Sequence, residues 1–231
     1  MEVISIKIPR TGSESFGAVL HDLYGQSELR NFIGGMKFNP KIYDPKSWWY
    51  AYDHITGIFQ DELQEFKPYD DQQYVHNHVP VELFDGWYDE CPRIAFMREP
   101  VSWIISCFWF AKMLSHIPEE MGIWEYIELD YRKNWVSMML GGSLDRFDWI
   151  GFQETWLHSV KEFLNRFTNV GETFFWEKPV PTRNVNIDDR YIRFRDDTLK
   201  DKAFVRRFKS LHKEDIKLYE EATNVYTTRK S

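Results

Sequence analysis

The sequence predicts an α/β fold, a central and mostly parallel sheet flanked by helices on both faces. Three observations predict it. Short apolar runs at residues 3–8 and 94–97 read as buried strands. Each is followed by a turn and then by apolar residues at helical spacing, and such strand–helix alternation builds a parallel sheet. The length of 231 residues suits one α/β unit with a full core, so the chain reads as a single domain over residues 1–231.

The first strand carries Val3, Ile4, Ile6 and Ile8, and Pro9, which cannot donate to a ladder, ends it. The turn Pro9-Arg10-Thr11-Gly12-Ser13-Glu14-Ser15 is small and hydroxylated. Phe16, Val19, Leu20 and Leu23 then fall at i, i+3, i+4 and i+7, one face of a helix. A strand, a tight turn and a helix N-terminus together make an anion cradle, because backbone N–H groups and the positive end of the helix dipole face the ligand. Arg10 adds a full charge. The loop lacks both G-x-x-x-x-G-K-[ST] and G-x-G-x-x-G, since Gly12 stands alone. By itself it also fits a plain strand-to-helix turn capped by Ser13 or Thr11.

Gly34-Gly35 separates this region from an insert at about residues 37–71, rich in aromatics and acidic from 61 to 71. Its tryptophans and tyrosines suit stacking on sugar or aromatic rings, although a single aromatic is more often core. Next comes Val75-His76-Asn77-His78, where side chains alternate, so His76 and His78 share one face of an extended strand. Imidazole titrates near neutrality and suits a general base. The same pair also fits two solvent-facing strand residues, or a metal site for which no third ligand stands at useful spacing.

The second strand–turn–helix is Ile94 to Met97, then Arg98-Glu99-Pro100. Pro100 suits a first helical position, and Val101, Ile104, Ile105 and Phe108 keep helical spacing. With Trp103 and Trp109 this helix is apolar nearly all round and therefore buried. Ser106, inside it, and Arg98, at the strand end, are its polar exceptions. An aromatic helical region at residues 124–139 closes at Gly141-Gly142. Further helices are expected over about 154–167, 199–209 and 212–226.

Arg10-Thr11-Gly12-Ser13 after Ile8-Pro9, paired with Arg98-Glu99-Pro100-Val101 and Ser106, resembles the PAPS-dependent sulfotransferases. Val75-His76-Asn77-His78-Val79 is similar to a segment of the heparan sulfate and uronyl 2-O-sulfotransferases in which the second histidine is the catalytic base. Trp149-Ile150-Gly151-Phe152-Gln153-Glu154 resembles the family's late strand, and Asp215, Leu218, Tyr219, Glu220 and Ala222 resemble its C-terminal helix.

The resemblance implies a P-loop-like three-layer fold and transfer of a sulfuryl group from PAPS to a hydroxyl, leaving PAP, with no metal. It implies that Arg10, Thr11, Gly12, Ser13, Glu14 and Ser15 bind the 5′-phosphosulfate and that Arg98 and Ser106 bind the 3′-phosphate. His78 would be the base, with Arg10 stabilising charge on the leaving phosphate and His76 orienting its neighbour or touching the acceptor. Three positions depart from the family, the mildest being Glu99 in place of aspartate. Arg10 stands where lysine is common. Glu14 stands where a hydroxyl residue usually helps to bind phosphate, and a carboxylate beside a polyanion repels it unless it points away or meets a cation. Arg183, Arg190, Arg193 and Arg195 would form either a lid over the nucleotide or a solvated face.

A net charge of −7 and the acidic insert disfavour nucleic acid and polyanionic glycans, leaving a neutral carbohydrate or small hydroxylated molecule as the expected acceptor. Met1 leads straight into the first strand, no apolar run approaches about 18 residues, and two cysteines suggest neither a disulfide framework nor a zinc site. The expectation is a cytoplasmic protein with no membrane association. Two other functions stay open: a degenerate sulfotransferase fold that only binds nucleotide, and a nucleotide-dependent kinase. The absent Walker lysine and the lack of a clear magnesium-binding carboxylate count against the kinase.

Overall fold

The computed structural model describes residues 2–24, 74–78, 80–86, 89–171, 174 and 188–227. The insert at 37–71, the Gly34-Gly35 pair, Val79 and Arg183 lie outside the described residues. Four strands form one sheet: β1 (Val3–Ile6), β2 (Tyr74–Asn77), β3 (Arg93–Met97) and β4 (Trp149–Phe152). Their order is β2-β1-β3-β4, and every pairing is parallel. Eight α-helices, besides three short 3-10 turns, accompany them among the described residues: α1 (Ser13–Tyr24), α2 (Pro100–Met113), α3 (Ile123–Tyr126), α4 (Trp135–Met139), α5 (Trp156–Phe167), α6 (Asp189–Lys200), α7 (Lys202–Leu211) and α8 (Lys213–Thr227).

Register decides which side chains share a face. Ser5 pairs with both His76 and Ile94, and Phe96 pairs with Gly151, so Ser5, His76, Ile94, Phe96, Trp149 and Gly151 point to one side. Helices α1 and α5 cover that side. Phe16 packs 4.6 Å from Phe96 and 4.9 Å from Phe163, and Phe163 lies 5.9 Å from Trp149. Gly151 is bare because a Cβ there would come within 2.7 Å of the Phe96 ring. The opposite face carries Phe152, which meets Tyr219 of α8 edge-on at 5.8 Å, and α8 packs with α2, α4 and α7. The strands are buried on both sides, as parallel strands under helices must be.

The chain leaves β1 through α1 toward β2 and leaves β3 through α2 toward β4. Adjacent strands whose connections depart in opposite directions open a crevice at their carboxyl ends, where ligands of open α/β sheets bind. Here it lies between β1 and β3.

Two helical expectations shift. The region at 124–139 is two short helices rather than one, with Asn134 in the left-handed region at φ 53° just before α4. Near 199–209 the chain breaks at Asp201, whose carboxylate accepts from the Ala203 and Phe204 amides and starts α7. Helix α6, unforeseen because its sequence is mostly charged, docks through Tyr191 and Phe194 against Trp109 and Phe108 of α2. Among the described residues, no helix is long and apolar enough to cross a membrane.

Candidate functional site

The loop leaving β1 is held by its carbonyls. Thr11 Oγ1 donates to the Ile8 carbonyl at 2.8 Å, Trp103 Nε1 to Pro9 at 2.8 Å, and Arg98 Nη1 to Arg10 at 3.2 Å. In a trans peptide the N–H opposes its C=O. The amides of Arg10 and Thr11 therefore point away from Trp103 and Arg98. Arg10 and Gly12 both have positive φ, 63° and 86°, around an ordinary Thr11. A left-handed arginine is uncommon, and strain of this kind concentrates at ligand clamps. Gly12 is needed twice over, for its φ and because a Cβ would lie 3.0 Å from the Trp156 ring. Its carbonyl accepts from Phe16 N at 3.0 Å, so α1 opens there with the first-turn amides of Ser13, Glu14 and Ser15 lacking helical acceptors.

Two guanidinium groups meet at this loop. Arg10 Nε donates to Ser106 Oγ at 3.1 Å, and its carbon sits 4.6 Å from the centre of the Phe110 ring. Arg98, at the carboxyl end of β3, reaches the Arg10 carbonyl with one nitrogen and the Tyr191 hydroxyl of α6, 3.4 Å away, with the other. Its Nε is buried with no hydrogen-bond partner. Burial, together with the charge of Arg98, pulls the Arg10 pKa down from its ordinary value. Among the described residues, no carboxylate forms an ion pair with either arginine. Two adjacent cations without an anion raise each other's energy, and an anionic ligand relieves it.

The histidines of β2 divide. His76 Nε2 lies 2.8 Å from the Ser13 carbonyl, which can only accept, so that nitrogen carries the proton. Nδ1, 2.9 Å from Ser5 Oγ, then accepts from the hydroxyl. Both ring nitrogens are thus used in tying β2, β1 and α1 together. His78, just beyond β2, donates Nδ1–H to the Lys7 carbonyl at 2.5 Å, which places the lone pair of the neutral ring on Nε2. Burial, and then the Lys7 ammonium, lower the His76 pKa to about 3 and the His78 pKa to about 4. The Lys7 ammonium pairs with the Glu14 carboxylate, so the carboxylate in the loop does meet a cation.

The fold brings Arg10, Arg98 and Ser106 into one cluster, and sets His78 on the other flank of β1 at the same end of the sheet. Thr11 and Ser13 are buried within the loop, Thr11 with its proton committed to Ile8. Glu99 turns inward as the cap of α2, accepting from the Val101 and Ser102 amides at 3.1 and 2.7 Å. Three of the late arginines are among the described residues. Arg190 is exposed and bound to Asp188, Arg193 is exposed, and Arg195 pairs with Asp196 beside the Tyr191 ring.

Sequence reasoning missed Lys7 and Tyr191. Tyr191 carried no signal, since only α6 docking brings it to Arg98. Lys7 had one: it stands two residues after Ser5 and so on the same face as His76. Among the described residues, no group of three or more His, Cys, Asp and Glu side chains is placed to hold a metal ion. Comparisons with protein-family models, curated proteins and solved structures give no match.

Proposed function

We propose that this chain is a PAPS-dependent sulfotransferase of P-loop-like architecture, acting on a hydroxyl of a small molecule or neutral carbohydrate. The observation that carries the reading is the pair of guanidinium groups, Arg10 and Arg98, at the mouth of the β1–β3 crevice with no carboxylate paired to them among the described residues. A bisphosphorylated nucleotide is the ligand class that suits such a charge density. Arginine forks, a serine hydroxyl and helix-terminal amides are the groups that recognise its phosphates.

In the proposed reaction the acceptor oxygen attacks sulfur while the bond from sulfur to the bridging phosphate oxygen breaks. The acceptor proton goes to His78 Nε2, and the electron pair stays with the departing phosphate of PAP. Two features support His78 in that role: its Nδ1–H is oriented by the Lys7 carbonyl, and it is neutral across the physiological range. A cation beside the 5′ group would stabilise the charge that grows on the leaving oxygen. His76, with both nitrogens bonded, suits positioning rather than proton transfer. The net charge of −7 favours a neutral acceptor over a polyanionic one.

The test is thermal stabilisation by adenosine 3′,5′-bisphosphate in the presence of EDTA. At a hundredfold excess over its Kd, the ligand should stabilise the protein by about 2.7 kcal/mol. Arg98→Ala should weaken the bisphosphate at least tenfold and leave adenosine 5′-monophosphate nearly unchanged. A melting shift with ATP and magnesium, and none with the bisphosphate, would favour the kinase instead. Nucleotide binding without any turnover of labelled PAPS across a hydroxyl library would favour a catalytically degenerate binding protein.

A further inference from the structure

The two ends of a bisphosphate need separate cations, and the loop arginine does not stand where its sequence position suggests. Arg10 lies beside the helix N-terminus in sequence, yet its guanidinium is drawn across to α2, onto Ser106 Oγ and the Phe110 ring, and shares that side with Arg98. Ser106 and Arg98 are also the two residues assigned to the terminal 3′-phosphate. The cation at the start of α1 is a different one. Lys7 follows β1, its ammonium reaches Glu14 in the first turn of α1, and its backbone carbonyl orients His78. Its charge is also the largest electrostatic influence on both histidines.

We infer that Lys7 is the cation of the 5′-phosphosulfate subsite and that Arg10 belongs with Arg98 and Ser106 to the 3′-phosphate subsite; this rests on the sulfotransferase reading. A terminal phosphomonoester near two negative charges meets two guanidinium groups. The 5′ group meets Lys7 and the amides of α1. Glu14 is then the resident counterion of Lys7. The Glu14 side chain is 46% exposed and that of Lys7 is 17% exposed, so the carboxylate can swing into water while the ammonium stays in place. Half-exposed ion pairs of this kind contribute little and yield to a better anion. The carboxylate of the loop becomes a placeholder that holds the ammonium in position until an anionic ligand displaces it. Burial first, and the charge of the same ammonium second, keep the His78 ring neutral.

The experiment measures the affinities of adenosine 5′-monophosphate, adenosine 3′-monophosphate and adenosine 3′,5′-bisphosphate by calorimetry for the full chain and four variants. Lys7→Met should weaken the 5′-monophosphate and the bisphosphate by about 10- to 100-fold and spare the 3′-monophosphate. Lys7→Arg should recover most of that loss. Arg10→Met should do the converse, costing the 3′-monophosphate and sparing the 5′-monophosphate. Glu14→Gln, which frees the ammonium without removing it, should tighten the 5′-monophosphate severalfold. Loss of 5′-monophosphate binding in Arg10→Met, or unchanged 5′ affinity in both Lys7→Met and Glu14→Gln, overturns the assignment. If the unaltered protein binds none of the three nucleotides, the sulfotransferase reading itself fails, and that outcome is distinct from either.

Discussion

Imidazole rings two residues apart can serve different ends, and the hydrogen bonds of His76 and His78 differ. His76 meets Ser5 Oγ with Nδ1 and the Ser13 carbonyl with Nε2, and His78 gives its Nδ1–H to the Lys7 carbonyl, the contact on which its proposed role as base rests. Replacing His78 by alanine should therefore leave bisphosphate affinity intact and lower turnover by about 10² to 10⁴-fold. Full turnover in His78→Ala would remove it as the base. Its pKa, lowered to about 4 by burial and the Lys7 ammonium, sets the pH profile. A base must be unprotonated, so kcat/KM should stay flat from pH 8 down to about 5, instead of falling through the ordinary histidine range near 6.5. A tenfold fall between pH 7 and 5.5 would show that the ring titrates normally. The sequence made both histidines visible as a pair on one strand face. The resemblance implied His78 as base and His76 as its support, but the hydrogen bonds that distinguish the rings were not legible, because they come from Ser5, Ser13 and Lys7, which are distant in sequence and adjacent only in the sheet.

At the scale of elements, the two strand–loop–helix units were legible and their meeting was not. Pro9, Gly12 and the spacing of Phe16, Val19 and Leu20 defined the first unit, and all three apolar residues are fully buried. Pro100 and the spacing of Val101, Ile104, Ile105 and Phe108 defined the second, and the structure adds Glu99 as its cap. Alternation of strand and helix gave the parallel sheet. Strand order, the crevice and α6 required tertiary packing. A charged segment such as α6 hides its anchors Tyr191 and Phe194 from any periodicity test. Gly17 of α1 is a case where local preference and packing conflict. Alanine there would raise helix propensity by about 1 kcal/mol. Yet its Cβ would stand 2.9 Å from His76 Cδ2, with the ring pinned at both nitrogens. Packing should win: Gly17→Ala is expected to lower the melting temperature and to weaken bisphosphate binding as Ser13 shifts. A raised melting temperature would mean that the ring moves freely and that His76 does not fix the loop.

For the whole molecule, the site is the place where three strand ends and two distant helices are fastened together, and pH acts on those fastenings. His76 and His78 have an ordinary pKa near 6.5 in the unfolded chain and about 3 and 4 in the fold. Above pH 6.5 both states hold the rings neutral, and the histidines leave stability unchanged with pH. Below it the unfolded chain takes up protons that the native state refuses. Stability is then lost progressively, down to the folded values, by on the order of 1 kcal/mol per pH unit for each histidine. Asp215 works in the other direction. It is buried, with its pKa raised mainly by desolvation, so it favours the native state as the solution becomes more acidic, starting from its own folded pKa. The histidine contribution is isolated by comparing slopes. Denaturant unfolding at pH 7.5, 6.5 and 5.5 should show a steep decline below 6.5 for the unaltered protein and a shallower one for His76→Gln, which keeps a donor for the Ser13 carbonyl but cannot take up a proton. A glutamine variant less stable at pH 7.5 yet equally steep in acid would assign the decline to other groups, and would leave His76 a structural hydrogen-bonding residue whose ring titrates as it does in the unfolded chain.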